Sequence, residues 1–232
     1  MIHLLNFRAQ DVSLEGGSEV VPEQSRKVIL EGRANRPNKF EERRRELAAA
    51  ALEALAENGY ANTSLRDIAS KSGFSLGTLH YYFEDKVDLI AYCTRVYKLD
   101  FIEAFNTLIA DANTINVLLE GFVQCSVRSV AEDSHTHRLW YDIKSQALFE
   151  SEFNDSVKEV DLLLANMVNN LVTKAKALSN TDAQMSAQRA YWMLDGFFQY
   201  YLRAHLAGEA GALKKYEQDM RSFLQWLLGV KK

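Results

Sequence analysis

Residues 63–83, TSLRDIASKSGFSLGTLHYYF, restrict what this chain can fold into more than any other stretch. Thr63 or Ser64 can cap a helix, and Asp67 falls in the first turn, where a negative charge is favoured. Leu65, Ile68 and Ala69 supply one inner face. Gly73 permits a tight turn, and Ser75 can cap a second short helix. Leu79 and Phe83 are four residues apart, so they point inward together. Upstream, Asn38 with Glu41 three residues later resembles a capping box. Phe40, Leu47, Ala48, Ala51, Leu52 and Leu55 then recur at three- and four-residue steps up to Gly59, as on one apolar helix face. A longer helix followed by two short ones joined by a glycine turn is the helix-turn-helix pattern.

The third helix of this unit buries only Leu79 and Phe83. Gly77, Thr78, His80, Tyr81 and Tyr82 are left on its other faces. Small residues let a helix backbone approach a nucleic-acid groove, and Thr, His and Tyr offer donors and methyls to phosphates and base edges. Lys86 begins the next helix and has the reach of a further phosphate contact. The net charge of the 232-residue chain is −4, a weak argument against nucleic acid, but its distribution is uneven. RANRPNKFEERRR carries Arg33, Arg36, Lys39, Arg43, Arg44 and Arg45 against Glu41 and Glu42. Such a run suits a phosphate-contacting arm. From charge alone, a solvated helix start explains it equally well.

Residues 63–89, read as T-x-x-x-x-I-A-x-x-x-G-x-S-x-G-T-L-x-Y-Y-F-x-x-K-x-x-L, resemble the DNA-binding signature of the tetracycline-repressor (TetR) family of bacterial regulators. The resemblance covers about residues 39–90. It implies an all-α chain with an N-terminal three-helix helix-turn-helix domain, then a helical ligand-binding and dimerisation domain. It implies DNA contacts from Ser64 and Arg66 on the second helix. From the recognition helix it implies Leu76, Gly77, Thr78, His80, Tyr81 and Tyr82, with Ser75 at its start, and it implies a phosphate-contacting lysine in Lys86. His80 stands where many members have tyrosine and Phe74 where a small aliphatic residue is commoner; both bear on sequence preference. LWYDIKSQALFESEF and MLDGFFQYYL are similar to segments often found in the family's second domain.

Three regions follow from this reading: a flexible extension over 1–36, the helix-turn-helix domain over 37–85, and the helical domain over 86–232. Asp85 caps a helix expected to reach about Ala110, and further helices are expected near 114–132, 135–149, 152–178, 182–207 and 209–229. The family resemblance and the aromatic content together suggest a small-molecule pocket. Its candidate lining is Tyr97, Phe101, Phe105, Phe122, Cys125, Trp140, Tyr141, Phe149, Trp192, Met193 and Phe197. A helical core needs the same composition, so each of these residues has core packing as its competing role. The last two helices resemble the family's dimerisation pair, with Tyr191, Trp192, Asp195, Phe198, Tyr201, Phe223 and Trp226 as the expected interface.

Other functional classes lack their residues. No uncharged apolar run approaches the ~18 residues of a membrane span. Cys93 and Cys125 form no C-x-x-C, so a reducing cytoplasm is expected and a disulfide framework is not. Glu132-x-x-His135 has the spacing found in di-iron bundles, but those need a second such motif and more carboxylates. His135-x-His137 has no third ligand at useful spacing. No P-loop or G-x-G-x-x-G occurs, and the G-x-S-x-G at Gly73–Gly77 lies inside the helix-turn-helix pattern, where Ser75 serves as a helix cap, so neither an enzyme nor a cofactor is expected. The competing non-enzymatic reading is a ligand carrier or adaptor that keeps the helix-turn-helix as scaffold. Against it stand Thr78, Tyr82 and Lys86 together with the basic arm, which a scaffold does not need. The expected partners are a palindromic DNA operator, an unidentified small apolar or aromatic effector and a second copy of the chain.

Overall fold

The computed structural model describes residues 39–230. The expected tail over 1–36, the Asn38 cap, Arg33 and Arg36 lie outside the described residues. Among those described there are nine α-helices, one short 3-10 turn and no strand. We number the helices α1 (Lys39–Asn58), α2 (Leu65–Ser72), α3 (Leu76–Tyr82), α4 (Lys86–Asp111), α5 (Ile115–Glu132), α6 (Ser134–Gln146), α7 (Asn154–Ser179), α8 (Ala187–Leu206) and α9 (Ala212–Leu227). From Arg45 onward the chain forms one compact unit.

Two cores fill this unit. The smaller joins Leu47, Ala51 and Leu55 of α1, Ile68 of α2, Leu79 and Phe83 at α3, and Leu89 and Ile90 of α4. Leu139 and Ile143 of α6 and Phe153 of the 3-10 turn complete it, so residues far along the chain close the core of the head. Phe40, assigned to the inner face of α1 by its spacing, is instead exposed. The larger core is built by α4 to α9, with Phe105, Leu118, Val123, Trp140, Leu171, Ala190, Tyr216 and Leu224 among its buried members.

Local signals place the helix ends. Gly59 at φ 74° and Gly73 at φ 73° hold the left-handed turns that close α1 and α2, a conformation that disfavours a side chain. The expected helix over 182–207 begins later, at Ala187. Thr181 Oγ1 donates to the Leu228 carbonyl at 2.7 Å and the Gln184 amide to that of Leu227 at 2.9 Å, which ties the preceding segment to the end of α9. The expected helix over 135–149 stops at Gln146, and that over 209–229 starts only at Ala212, after Gly208 and Gly211 at positive φ.

Candidate functional site

The turn between α2 and α3 is held by short-range caps. Ser64 Oγ accepts from the Asp67 amide at 3.3 Å, and the Asp67 carboxylate accepts from the Ser64 amide at 2.8 Å, a reciprocal capping box. These hydrogen bonds hold the Asp67 carboxyl below its ordinary pKa. Ser75 Oγ accepts from the Thr78 amide at 3.0 Å and lies 2.8 Å from Thr78 Oγ1. Leu79 and Phe83 are buried beneath. Ser64, Arg66, Ser75, Gly77, His80 and Tyr81 are exposed, and Leu76, Thr78 and Tyr82 are half-buried. Tyr81 and Tyr82 meet edge to face at 4.9 Å between ring centroids. The expected contact residues thus lie on one short helix and at the start of the helix before it, six of them exposed.

Lys86 is placed differently from the simple surface lysine its position implies. Its Nζ donates to the Tyr60 carbonyl at 2.6 Å and stands 4.1 Å from the centre of the Tyr60 ring. Partial burial lowers its pKa, with Glu150 and Asp142 acting in the opposite sense. Tyr60 is gripped from α6 and beyond as well. Its amide donates to Asp142 Oδ2 at 2.8 Å and its hydroxyl to Glu150 Oε2 at 2.8 Å. Arg138 Nη2 donates to the carbonyls of Ala56 at 2.7 Å and Glu57 at 3.1 Å, satisfying acceptors that the end of α1 leaves open.

The other side of α6 faces a cavity of about 50 Å³ in the larger core. Its walls include Phe101, Phe105, Trp140, Tyr191, Phe198 and Met220. Lys98 also lines it, 3% exposed and surrounded by rings, with Nζ 4.9 Å from the Phe101 ring and 5.4 Å from the Trp140 ring. Lys98 Nζ donates to His137 Nδ1 at 3.1 Å, while His137 Nε2 meets Ser129 Oγ at 2.6 Å and Tyr97 Oη at 2.7 Å. Burial brings the Lys98 pKa down to about 7. Burial, reinforced by Lys98, also depresses that of His137, which is therefore neutral at neutral pH. Across the cavity Tyr141 Oη donates to Asp195 Oδ1 at 2.9 Å, Tyr191 Oη to Asp161 Oδ1 at 2.5 Å, and Lys144 bridges both carboxylates at 2.8 and 3.3 Å.

Residues 47–93 match the family model described as bacterial regulatory proteins of the tetR family. This segment is a TetR-family DNA-binding domain. The regulator is 25% identical over 162 residues to the HTH-type transcriptional regulator PksA of Bacillus subtilis, a match covering 67% of this chain and 77% of PksA. It shares a fold with the Bacillus subtilis regulator FadR solved with stearoyl-CoA (TM-score 0.61, 18% identity, 80% of this chain and 98% of that one). It also shares a fold with a regulator from Saccharomonospora viridis solved with choline (TM-score 0.62, 18% identity, 80% and 96%). The chain is a helix-turn-helix transcriptional regulator similar to those of this family.

Of the residues expected to line a pocket in the regulator, Phe101, Phe105, Phe122, Trp140 and Tyr141 do so. Tyr97 stands one layer away, on His137. Cys125 and Phe197 pack against the core outside the cavity walls. Phe149 is 87% exposed after the end of α6, and Trp192 and Met193 lie on the outer side of α8. The expected interface residues divide as well. Tyr191, Asp195 and Phe198 face the cavity rather than the surface, because α8 turns that side toward α6 and α7. Tyr201 is buried and donates to Asp219, and Phe223 is buried between Phe197 and Trp226. Trp192 and Trp226 remain exposed, and Tyr200 joins them. Lys98, Tyr216 and Met220 were not expected at the cavity, and Tyr60, Arg138 and Asp142 not at the head. Lys98 had a usable signal: it interrupts the apolar run of α4 between Tyr97 and Phe101. His137, grouped by spacing with His135, is fully buried in the network of Lys98.

Proposed function

We propose that this regulator represses transcription as a homodimer on a palindromic operator, and that a small apolar or aromatic molecule releases it by entering the α4–α9 cavity. α3 with Thr78, His80, Tyr81 and Tyr82 then reads the groove, while Ser64, Arg66 and Lys86 approach phosphates. Exposed Trp192, Tyr200 and Trp226 on α8 and α9 support a second copy as the cover of that side, since large apolar patches rarely stay open to water. The role is non-enzymatic, and the DNA target places the protein in the cytoplasm.

The observation that carries the ligand half is the double use of α6. His137, Trp140, Tyr141 and Lys144 take part in the cavity or its polar network, while Arg138, Leu139 and Asp142 hold the head. At about 50 Å³ the cavity is far smaller than the ~300–1,000 Å³ of typical ligand sites, so a guest has to push its walls apart. Displacing α6 moves the grip on Tyr60, and with it the first turn of α4 and the angle of α3. Two half-sites one DNA turn apart, ~34–36 Å, tolerate little such movement.

Selection of binding sites from random duplexes tests the DNA half, and a recovered palindrome is the expected result. Effector affinity measured with and without saturating operator tests the link, because operator must weaken effector binding by the factor by which effector weakens operator binding. Equal affinities in both titrations would leave the cavity without a regulatory role.

A further inference from the structure

The fold alone does not choose the charge of a ligand, since similar folds hold a coenzyme A thioester and a quaternary amine. The polar groups of this cavity do choose. Its one carboxylate is already occupied: Asp195 receives Tyr141 and Lys144, and Asp161, outside the lining, receives Tyr191 and Lys144. Its donors are in surplus. Lys98 Nζ has three protons to give and one partner, His137, with no carboxylate within 4.0 Å among the described residues. The Tyr216 hydroxyl and the Trp140 indole N–H are buried without a hydrogen-bond partner, and both residues line the cavity with Lys98. Ser126 Oγ, which donates its own proton to the Phe122 carbonyl, is the weak acceptor beside the Tyr216 hydroxyl. Unpaired donors deep in a protein are costly and uncommon. A ligand cation would instead meet the Lys98 ammonium where the aromatic rings already hold it.

We infer that the effector is an organic acid on an apolar body, whose carboxylate takes Lys98, Tyr216 and Trp140 as its donors while the apolar part displaces the flexible Met167 and Met220 side chains. This rests on the cavity being the effector site. The charged and titratable groups facing Lys98 are Tyr97 of α4, Asp133 at the start of α6, His137, Tyr141 and Lys144 of α6, Asp161 of α7, Asp195 of α8 and Tyr216 of α9. Burial keeps His137 neutral, so Lys98 is the group whose charge changes near neutrality. Carboxylate binding therefore requires a protonated Lys98. Above pH ~7 it takes up a proton and weakens by up to about tenfold per pH unit.

The test uses three probes of one shape on the full chain: 4-phenylbutyrate, its primary amide, and trimethyl(3-phenylpropyl)ammonium. Binding is read by tryptophan fluorescence, to which buried Trp140 contributes, and by thermal shift. The acid is expected to bind at least about tenfold more tightly than the amide, and the ammonium not to compete. Lys98→Met abolishes the preference for acid over amide, and Tyr216→Phe weakens the acid several-fold. Amide or ammonium binding as tight as the acid overturns the acid site while leaving the cavity as an effector site. A preference that survives Lys98→Met, or acid affinity unchanged from pH 6 to 9 in the wild type, also overturns it. The pH arm stands even where Lys98→Met does not fold. No response to any probe at millimolar concentration, from protein that still binds its operator, removes both the acid site and the cavity's effector role.

Discussion

The outer face of α2–α3 and the interior of α4–α9 satisfy their polar groups in opposite ways. In the head the helix caps are made by sequence neighbours: Ser64 with Asp67, Ser75 with Thr78, Asp85 with Asp88. In the helical domain the polar partners come from remote helices: Lys98 with His137, Tyr141 with Asp195, Tyr191 with Asp161. Three buried donors of the cavity wall, on Lys98, Trp140 and Tyr216, have bonding capacity left over. The contrast teaches where rigidity and adaptability lie. The head presents a fixed shape set by caps and a small core. The helical domain keeps unpartnered polar groups beside a small internal cavity.

Each side of that contrast can be broken separately. The largest effect is expected in the head core. Phe83→Ala should cost ~3–5 kcal/mol in urea unfolding, because the ring is 2% exposed and its space cannot refill. A cost under ~1 kcal/mol would show that the head core is not tightly packed. In the cavity the sign reverses. Lys98→Met should stabilise the ligand-free protein at pH 6 by an amount on the order of a few kcal/mol, read as a higher Tm. The folded-state pKa of Lys98, about 7, lies below its ordinary 10.5. The unfolded chain therefore binds the extra proton between these values. The burial penalty is complete below pH 7 and fades as pH rises toward 10.5, so the gain from Lys98→Met should shrink over that window. A destabilised variant at pH 6 would mean that the lysine is well satisfied where it lies.

Between the two regions stands Tyr60. Asp142→Ala should cost about 1–2 kcal/mol by removing the acceptor of its amide. It should also reduce the factor by which effector weakens operator binding, measured by paired titrations. Unchanged coupling would shift the connection from α6 to α4. Ser75→Ala should cost about 1 kcal/mol, since one helix cap is lost. Lys86→Met is the finest probe. An ammonium that braces Tyr60 and still reaches phosphate should, on removal, lower the slope of log affinity against log salt by about 0.9. An unchanged slope would make Lys86 a brace alone.

The same contrast separates what the sequence determined from what the tertiary structure decided. The three-helix head, its caps at Ser64, Ser75 and Asp85, its turn at Gly73 and its buried Leu79 and Phe83 were legible because each depends on residues at most four positions apart. The succession of long helices was legible for the same reason, as was the outward placement of His80 and Tyr81. Which side of α8 faces inward was not, because Tyr191, Trp192, Asp195 and Phe198 read alike until α6 and α7 pack against one side of them. Phe149 belongs to no wall because α6 ends at Gln146, three residues before it. Lys98 was not singled out, and His137 was weighed as a metal ligand; their meeting spans 39 residues of chain. Composition specifies that such a domain buries aromatic rings, but packing alone selects which rings enclose a cavity and which buried donors are left without partners.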